Sequence, residues 1–135
     1  MLIHFYEKPG CINNTKQKRM LEEHGHKIHA HSLLSHSWKP STLRLFFDDM
    51  PVPKWFNMAA PRIKSGEIVP ESFEEDTALL AMIKDPLLIR RPLIDAQGEL
   101  CCGFDNQLVK MLLGVDTDIS DLLTCPNIGK HQQCD

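Results

Sequence analysis

The chain has 135 residues, 42% hydrophobic and 24% charged, which is the composition of an ordinary folded domain. At this length a single core can bury about 65–70% of the unfolded surface, so neither a metal nor a disulfide is required for folding. Fifteen lysines and arginines against eighteen acidic residues give a net charge of −3. No general basic field exists, so neither a nucleic acid nor a membrane surface is expected as a partner.

The amino terminus carries no basic leader followed by an apolar segment, so we predict no signal peptide and a cytoplasmic location. The longest apolar run, residues 78–83, is far shorter than the roughly 20 residues that span a bilayer. Five cysteines are an odd number, which favours free thiols in a reducing compartment over a disulfide framework.

The first third of the chain predicts a strand, a helix and a second strand. Residues 2–6 are apolar and aromatic and end at the turn residues 8–10, which indicates a buried strand. Residues 12–24 contain no Gly or Pro, and Gly25 is a natural helix stop. Residues 27–33 alternate enough to form the second strand, and a parallel β-α-β unit is the simplest arrangement.

The middle of the chain predicts a small helical insertion over about residues 40–84. Short apolar pieces over residues 40–66 are interrupted by prolines. Ser72 and Glu75 have the spacing of a capping box, which predicts a helix that ends before Pro86. We predict that the aromatic residues of this region, and one just before it, pack in the core, with a partner surface as the alternative. These residues are Trp38, Phe46, Phe47, Trp55 and Phe56.

The last part of the domain predicts a β-hairpin and a final helix. Residues 92–95 and 99–102 flank a turn and form the two predicted strands. Asp105 is expected to cap a helix that runs to Leu113. The predicted domain therefore covers residues 1–114, and residues 115–135 are predicted to be a flexible tail.

Cys11 is the strongest candidate for chemistry because it falls at the predicted start of a helix. Unpaired backbone N–H groups and the positive end of the helix dipole favour thiolate over thiol there. Lys8 precedes the cysteine, and Lys16, Lys18 and Arg19 follow it in the first half of the helix. An inert cysteine on a solvated turn remains the alternative.

Other cysteines and histidines carry weaker signals. Cys101 and Cys102 lie on the predicted hairpin, where buried structural thiols are expected. His29 and His31 would share one face of a strand near His24 and His26, but two histidines are a weak ligand set, so we predict no metal site. In the tail, the cluster Cys125, His131 and Cys134 lacks the paired spacing of a zinc site.

Several separate segments resemble the arsenate reductase/Spx (ArsC-like) family of thioredoxin-fold proteins. The run from Phe5 to Cys11 precedes a helix, and the run from Leu88 to Ile94 precedes a hairpin, as they do in that family. Within it, the chain is similar to the nitrogenase-associated branch. The segments that carry this likeness are Glu7–Asn14, Trp55–Asn57, Ile63–Gly66 and Asp85–Pro92.

The resemblance implies an α/β thioredoxin-like mixed sheet flanked by helices, with Cys11 as the redox thiol facing a cis Pro92. It implies thiol chemistry with glutathione as a co-substrate and no tightly bound cofactor. The implied partners are glutathione, glutaredoxin, and nitrogenase or its maturation proteins. The residues expected to bind the substrate or glutathione are Lys8, Asn13, Asn14, Arg91 and Pro92.

The chain also departs from the family pattern. Arg91 matches one anion-binding arginine, but Phe104 replaces another, and only Arg62 lies near the third position. Arsenate reduction is therefore not expected. Asn14 stands where Spx-type proteins have a second cysteine, which leaves a single-cysteine mechanism. The alternative is a binding or regulatory module for nitrogenase or its maturation machinery, without turnover.

Overall fold

The alternation of large apolar residues with half-buried ones makes Leu2–Glu7 a strand, β1, at the centre of the molecule. A computed structural model describes residues 1–114 of the chain. The other strands are β2 (Lys27–Ser32), β3 (Leu93–Ala96) and β4 (Glu99–Cys102). The helices are α1 (Ile12–Glu23), α2 (Pro40–Leu45), α3 (Pro61–Lys64), α4 (Glu75–Lys84) and α5 (Gln107–Leu113), with 3-10 turns at Val52–Trp55, Pro70–Ser72 and Pro86–Leu88.

The strands form one mixed sheet in the order β2-β1-β3-β4. β1 and β2 are parallel, with Ile3 opposite Ile28, so the predicted β-α-β unit is confirmed. β3 runs antiparallel to β1 and pairs with β4 in the predicted hairpin. Gln97 and Gly98 both have positive φ values, 54° and 94°, which is the backbone of a type I′ two-residue turn.

The sheet separates two apolar clusters. On one face, Ile3, Phe5 and Ile94 pack with Leu21 of α1 and Leu112 of α5. On the other face, the insertion supplies most of the cluster that covers Leu93, Cys102 and Tyr6. The core prediction for the insertion aromatics is confirmed, since Trp38, Phe46, Phe47, Trp55 and Phe56 are all buried.

The predicted capping box at Ser72 is wrong. Ser72 ends a 3-10 turn that Pro70 begins, and its hydroxyl donates to the carbonyl of Val69 at 2.6 Å. The helix begins three residues later with Glu74 as its N-cap, because the hydroxyl of Thr77 accepts from the Glu74 amide at 3.0 Å. The capping box of this helix is therefore formed by Glu74 and Thr77, two residues after the predicted pair begins.

The predicted cap of the last helix is also wrong by one residue. The side chain of Asn106 accepts from the amide of Val109 at 3.0 Å, which makes Asn106 the N-cap of α5. Asp105 instead accepts from the guanidinium of Arg90 at 2.9 Å. The predicted end of this helix at Leu113 is confirmed.

No helix within residues 1–114 has both the length and the apolar character needed to cross a membrane. The predicted flexible tail, residues 115–135, lies outside the described residues.

Candidate thiol site at the start of the first helix

Cys11 is the N-cap residue of α1, with extended backbone angles of φ −72° and ψ 123°. The preceding loop is a tight turn in which the Cys11 amide donates to the carbonyl of Lys8 at 3.1 Å. Gly10 has a φ of 84°, a conformation that glycine adopts at low cost. The Cys11 carbonyl accepts from both the amide and the hydroxyl of Thr15, each at 3.1 Å. Cys11 therefore lies at the helix position that the sequence predicted.

The sulfur of Cys11 is not openly presented to solvent, because the residue is only 2% exposed. Pro9 and Gly10, directly before it, are exposed. The thiol is therefore buried next to an exposed turn.

The side chain of Asn14 connects the turn before Cys11 to the first turn of α1 through hydrogen bonds. Its side-chain oxygen accepts from the Lys8 amide at 3.2 Å, and its side-chain nitrogen donates to the Gln17 side chain at 3.0 Å. Asn13, Asn14 and Gln17 are all buried on this turn of α1. The side chain of Asn14 thus holds the Lys8 backbone in place, a structural task that the sequence did not indicate.

The basic residues around the site are partly compensated. Lys18 pairs with the carboxylate of Glu7 at 2.7 Å, and both side chains are mostly buried. The sequence expected Lys18 to add positive charge near Cys11, and in the structure Glu7 neutralises that contribution. Spacing along the helix could not show this pair, because Glu7 belongs to the preceding strand.

The Arg91-Pro92 peptide bond is cis, as the family resemblance implies. Tyr6 lies opposite Leu93 in the antiparallel pair, so Pro92 directly precedes β3 at the end of the sheet where β1 finishes. The Pro92 carbonyl accepts from the Gly103 amide at 2.8 Å. The Cys11 turn and the Arg91-Pro92 bond therefore extend from the same end of neighbouring strands.

Arg91 borders a surface groove of about 390 Å³ that Arg90, Lys54 and Asn57 also line. The other two positions at which the family has anion-binding arginines do not supply a comparable cationic group. Arg62 donates to Glu67 at 2.8 Å and to Asp85 at 3.0 Å. Phe104 is 2% exposed and packs in the core, so it presents no polar group to an anion.

The other two cysteines that the structure describes, Cys101 and Cys102, are also free thiols, but they are buried in the β3–β4 hairpin. Burial raises the pKa of Cys101 to about 12 and also raises the pKa of Cys102 strongly. The Cys102 thiol donates to the carbonyl of Arg90 at 3.4 Å. Both thiols stay protonated at neutral pH and are poor nucleophiles, which confirms the prediction that they are buried structural residues.

The family model described as ArsC family matches residues 6–112. The chain belongs to the ArsC family. Among curated relatives, it is 46% identical over 131 residues to an uncharacterized 15.7 kDa protein in the draG 3′ region of Rhodospirillum rubrum, covering 96% of this chain and 92% of the relative. It is 26% identical over 108 residues to YusI of Bacillus subtilis, covering 77% of this chain and 92% of that protein.

Solved ArsC-like structures have the same fold. An arsenate reductase from Vibrio cholerae is similar with a TM-score of 0.69 at 21% identity, covering 84% of this chain and 98% of that one. An ArsC family related protein from Bacteroides fragilis has a TM-score of 0.70 at 20% identity, covering 83% and 99%. The predicted thioredoxin-like ArsC fold, with its mixed sheet and helices, is therefore confirmed.

Proposed function

We propose that this ArsC-family protein is a single-cysteine thiol redox protein in which Cys11 exchanges disulfides with glutathione or a partner thiol. The observation that carries the proposal is the position of Cys11. It caps α1 at the sheet end where the cis Arg91-Pro92 bond lies. Burial raises the pKa values of Cys101 and Cys102, so these two thiols stay protonated and do not compete for this role.

The proposed reaction is a thiol–disulfide exchange. The Cys11 thiolate attacks one sulfur of glutathione disulfide, the S–S bond breaks, and one glutathione leaves as a thiolate. Cys11 then carries a mixed disulfide. The thiolate of a second glutathione, or of glutaredoxin, attacks the glutathione sulfur, restores the Cys11 thiolate and takes the other half as a new disulfide.

Four residues support the binding of the glutathione group. The first-turn amides of α1, which include those of Asn13 and Asn14, and the Lys8 ammonium stabilise negative charge at the reacting sulfurs. Arg91 lines the groove, and a guanidinium group suits a carboxylate of glutathione. Because Cys11 is 2% exposed, a local opening that exposes its sulfur precedes the attack.

Arsenate reduction is not part of the proposal. Phe104 is buried in the core, and Arg62 already pairs with Glu67 and Asp85. Losing two cationic contacts to an oxyanion costs about 1.5–3 kcal/mol each, which is a hundredfold or more in combined affinity.

A second candidate function is a binding or regulatory module for nitrogenase or its maturation machinery. The burial of Cys11 and the Glu7–Lys18 pair favour a retained pocket without turnover. The resemblance of several segments to the nitrogenase-associated branch supports this class of partner.

Glutathionylation tests the redox proposal directly. The full chain with Cys125→Ser and Cys134→Ser is incubated with glutathione disulfide, and intact-mass and peptide mass spectrometry locate the adduct. We expect one glutathionyl group on Cys11, its removal by glutathione with glutaredoxin, and no adduct in the added Cys11→Ser variant. Cys101→Ala serves as the matched control and should react as the parent does.

A Cys11 that stays unmodified while the denatured chain reacts would contradict the redox proposal. The binding alternative is then tested by affinity capture from cells grown with and without fixed nitrogen. It predicts that nitrogenase or maturation proteins are retained by both the parent and Cys11→Ser. If the set of captured proteins does not change with nitrogen supply, the result would contradict the binding alternative.

A further inference from the structure

Three histidines meet on one face of the sheet, away from the thiol site. The parallel register places His4 of β1 opposite His29 of β2, and Tyr6 opposite His31. Alternation along the strands puts His4, His29 and His31 on the same face. The prediction that His29 and His31 share a face is confirmed, and the contribution of His4 was missed.

The three imidazoles are close enough to share a ligand. Nδ1 of His4 and Nε2 of His31 are 2.9 Å apart. One ring nitrogen from each of the three histidines lies within 4.8 Å of the others. The ring centroids of His29 and His31 are 4.8 Å apart, and those of His4 and His29 are 5.4 Å apart.

The surroundings make the cluster both ordered and accessible. The ring of Tyr6 stacks on His31 with centroids 4.9 Å apart, which restricts the orientation of that imidazole. β2 is an edge strand and His29 is exposed, so an ion can enter from solvent.

The chemistry of the cluster suits a particular class of ion. Neutral imidazole is a preferred ligand of zinc, copper and nickel. Tetrahedral zinc holds its nitrogen ligands at about 2.0–2.1 Å, which puts those nitrogens about 3.3 Å apart. The 2.9 Å and 4.8 Å limits of this cluster bracket that spacing, so small ring rotations are sufficient.

We propose that His4, His29 and His31 form a binding site for a divalent first-row transition metal such as Zn²⁺, Ni²⁺ or Cu²⁺. The ion replaces the His4–His31 hydrogen bond and leaves at least one coordination position for water or a partner's ligand.

The proposed metal site and the thiol site lie on opposite faces of the sheet. Ile3 and Phe5, which alternate with His4 on β1, face α1 with its capping Cys11, so the histidines lie on the other face. Failure of the metal-site proposal therefore would not contradict the proposed thiol function, and failure of the thiol function would not contradict the metal site.

Metal titration of the untagged full chain tests the site. Isothermal titration with Zn²⁺ and with Ni²⁺ is done in a Cys11→Ser, Cys125→Ser, Cys134→Ser background, which removes three thiols as competing ligands. We expect one equivalent to bind. His29→Asn and His31→Asn should each weaken binding by about tenfold or more, because removing a ligand costs at least as much as removing its supporting partner.

His24→Asn is the matched control, since His24 is an exposed histidine that bonds the carbonyl of Met20 outside the cluster. It should bind as the parent does. A Cu²⁺-loaded sample gives an independent signature, in which nitrogen coupling in the electron paramagnetic resonance spectrum diminishes in His29→Asn. Absence of a stoichiometric site, or equal binding by the parent and His29→Asn, would overturn the proposal.

Discussion

At the scale of single residues, similar side chains differ in chemistry because their surroundings differ. Cys11 caps a helix beside an exposed turn, whereas Cys101 and Cys102 lie within the hairpin. Burial disfavours a charged sulfur, and this is the largest cause of the raised pKa values of the hairpin cysteines. The sequence could predict their burial from residue type, but the extent of desolvation depends on the packed core.

The hairpin thiols should therefore resist alkylation in the native state. With iodoacetamide at pH 8, we expect Cys101 and Cys102 to remain unmodified in the folded chain and to react fully in urea. The physical reason is that their raised pKa values leave almost no thiolate at this pH. Peptide mass spectrometry measures each site. Rapid labelling of Cys101 without unfolding would contradict this account.

His31 should make the stability of the protein depend on pH. Burial, and then the positive charge of His29, His4 and His36, lower its pKa below the ordinary value of 6.5. Below that value the unfolded chain takes up a proton more readily than the folded chain does. The stability contributed by neutral His31 is thus complete above pH 6.5 and is lost as the pH falls through the folded pKa.

Urea unfolding of the parent and of His31→Asn at pH 7.5 and pH 5 measures this effect. The parent should lose more free energy of unfolding between the two pH values than the variant does. Comparing the changes with pH, rather than the absolute values, removes any difference in packing between the variants. Equal losses would show that His31 does not couple to folding.

At the scale of elements, the ends of the helices were less predictable than their existence. The span of α1 followed from the absence of Gly and Pro and from Gly25, because these signals are local. The starts of α4 and α5 were less certain, because each had two nearby polar residues that could cap the first backbone amides of the helix. Asn106 caps α5, while Asp105 pairs with Arg90, a residue 15 positions away in the chain.

Asn106→Ala should destabilise the protein by about 1 kcal/mol, which is typical for a lost N-cap. The same side chain donates to the carbonyl of Gly103 at 3.0 Å, so the cost should not be smaller than that of an ordinary cap. Asp105→Ala is the matched control, and it should cost well under 1 kcal/mol because its ion pair is exposed. Chemical denaturation measures both. A larger loss from Asp105→Ala would restore Asp105 as the cap.

At the scale of the whole molecule, the helical insertion forms one of the two apolar clusters that the sheet separates. The rings of Phe47 and Trp55 stack with centroids 4.5 Å apart, and the indole N–H of Trp55 donates to the carbonyl of Met50 at 2.7 Å. This cluster continues through Leu93 and Cys102 into the sheet. The insertion and the sheet should therefore unfold together.

Phe47→Ala should lower the free energy of unfolding by about 3–5 kcal/mol, because it opens a cavity in this shared cluster. Leu45→Ala is the control from the same segment, and it should have a small effect because Leu45 is 62% exposed. Near- and far-ultraviolet circular dichroism should report one common unfolding transition for each variant. Separate transitions would mean that the insertion unfolds on its own.

The sequence by itself determined the succession of strands and helices along the chain, the place of Cys11 at a helix start and the burial of the insertion aromatics. These features follow from local signals such as periodicity, turn residues and apolar composition. The tertiary structure decided the Glu7–Lys18 pair, the cap at Asn106 and the meeting of His4 with His29 and His31. The reason is register, since His4 and His31 are 27 residues apart in the chain and become neighbours only when two parallel strands pair.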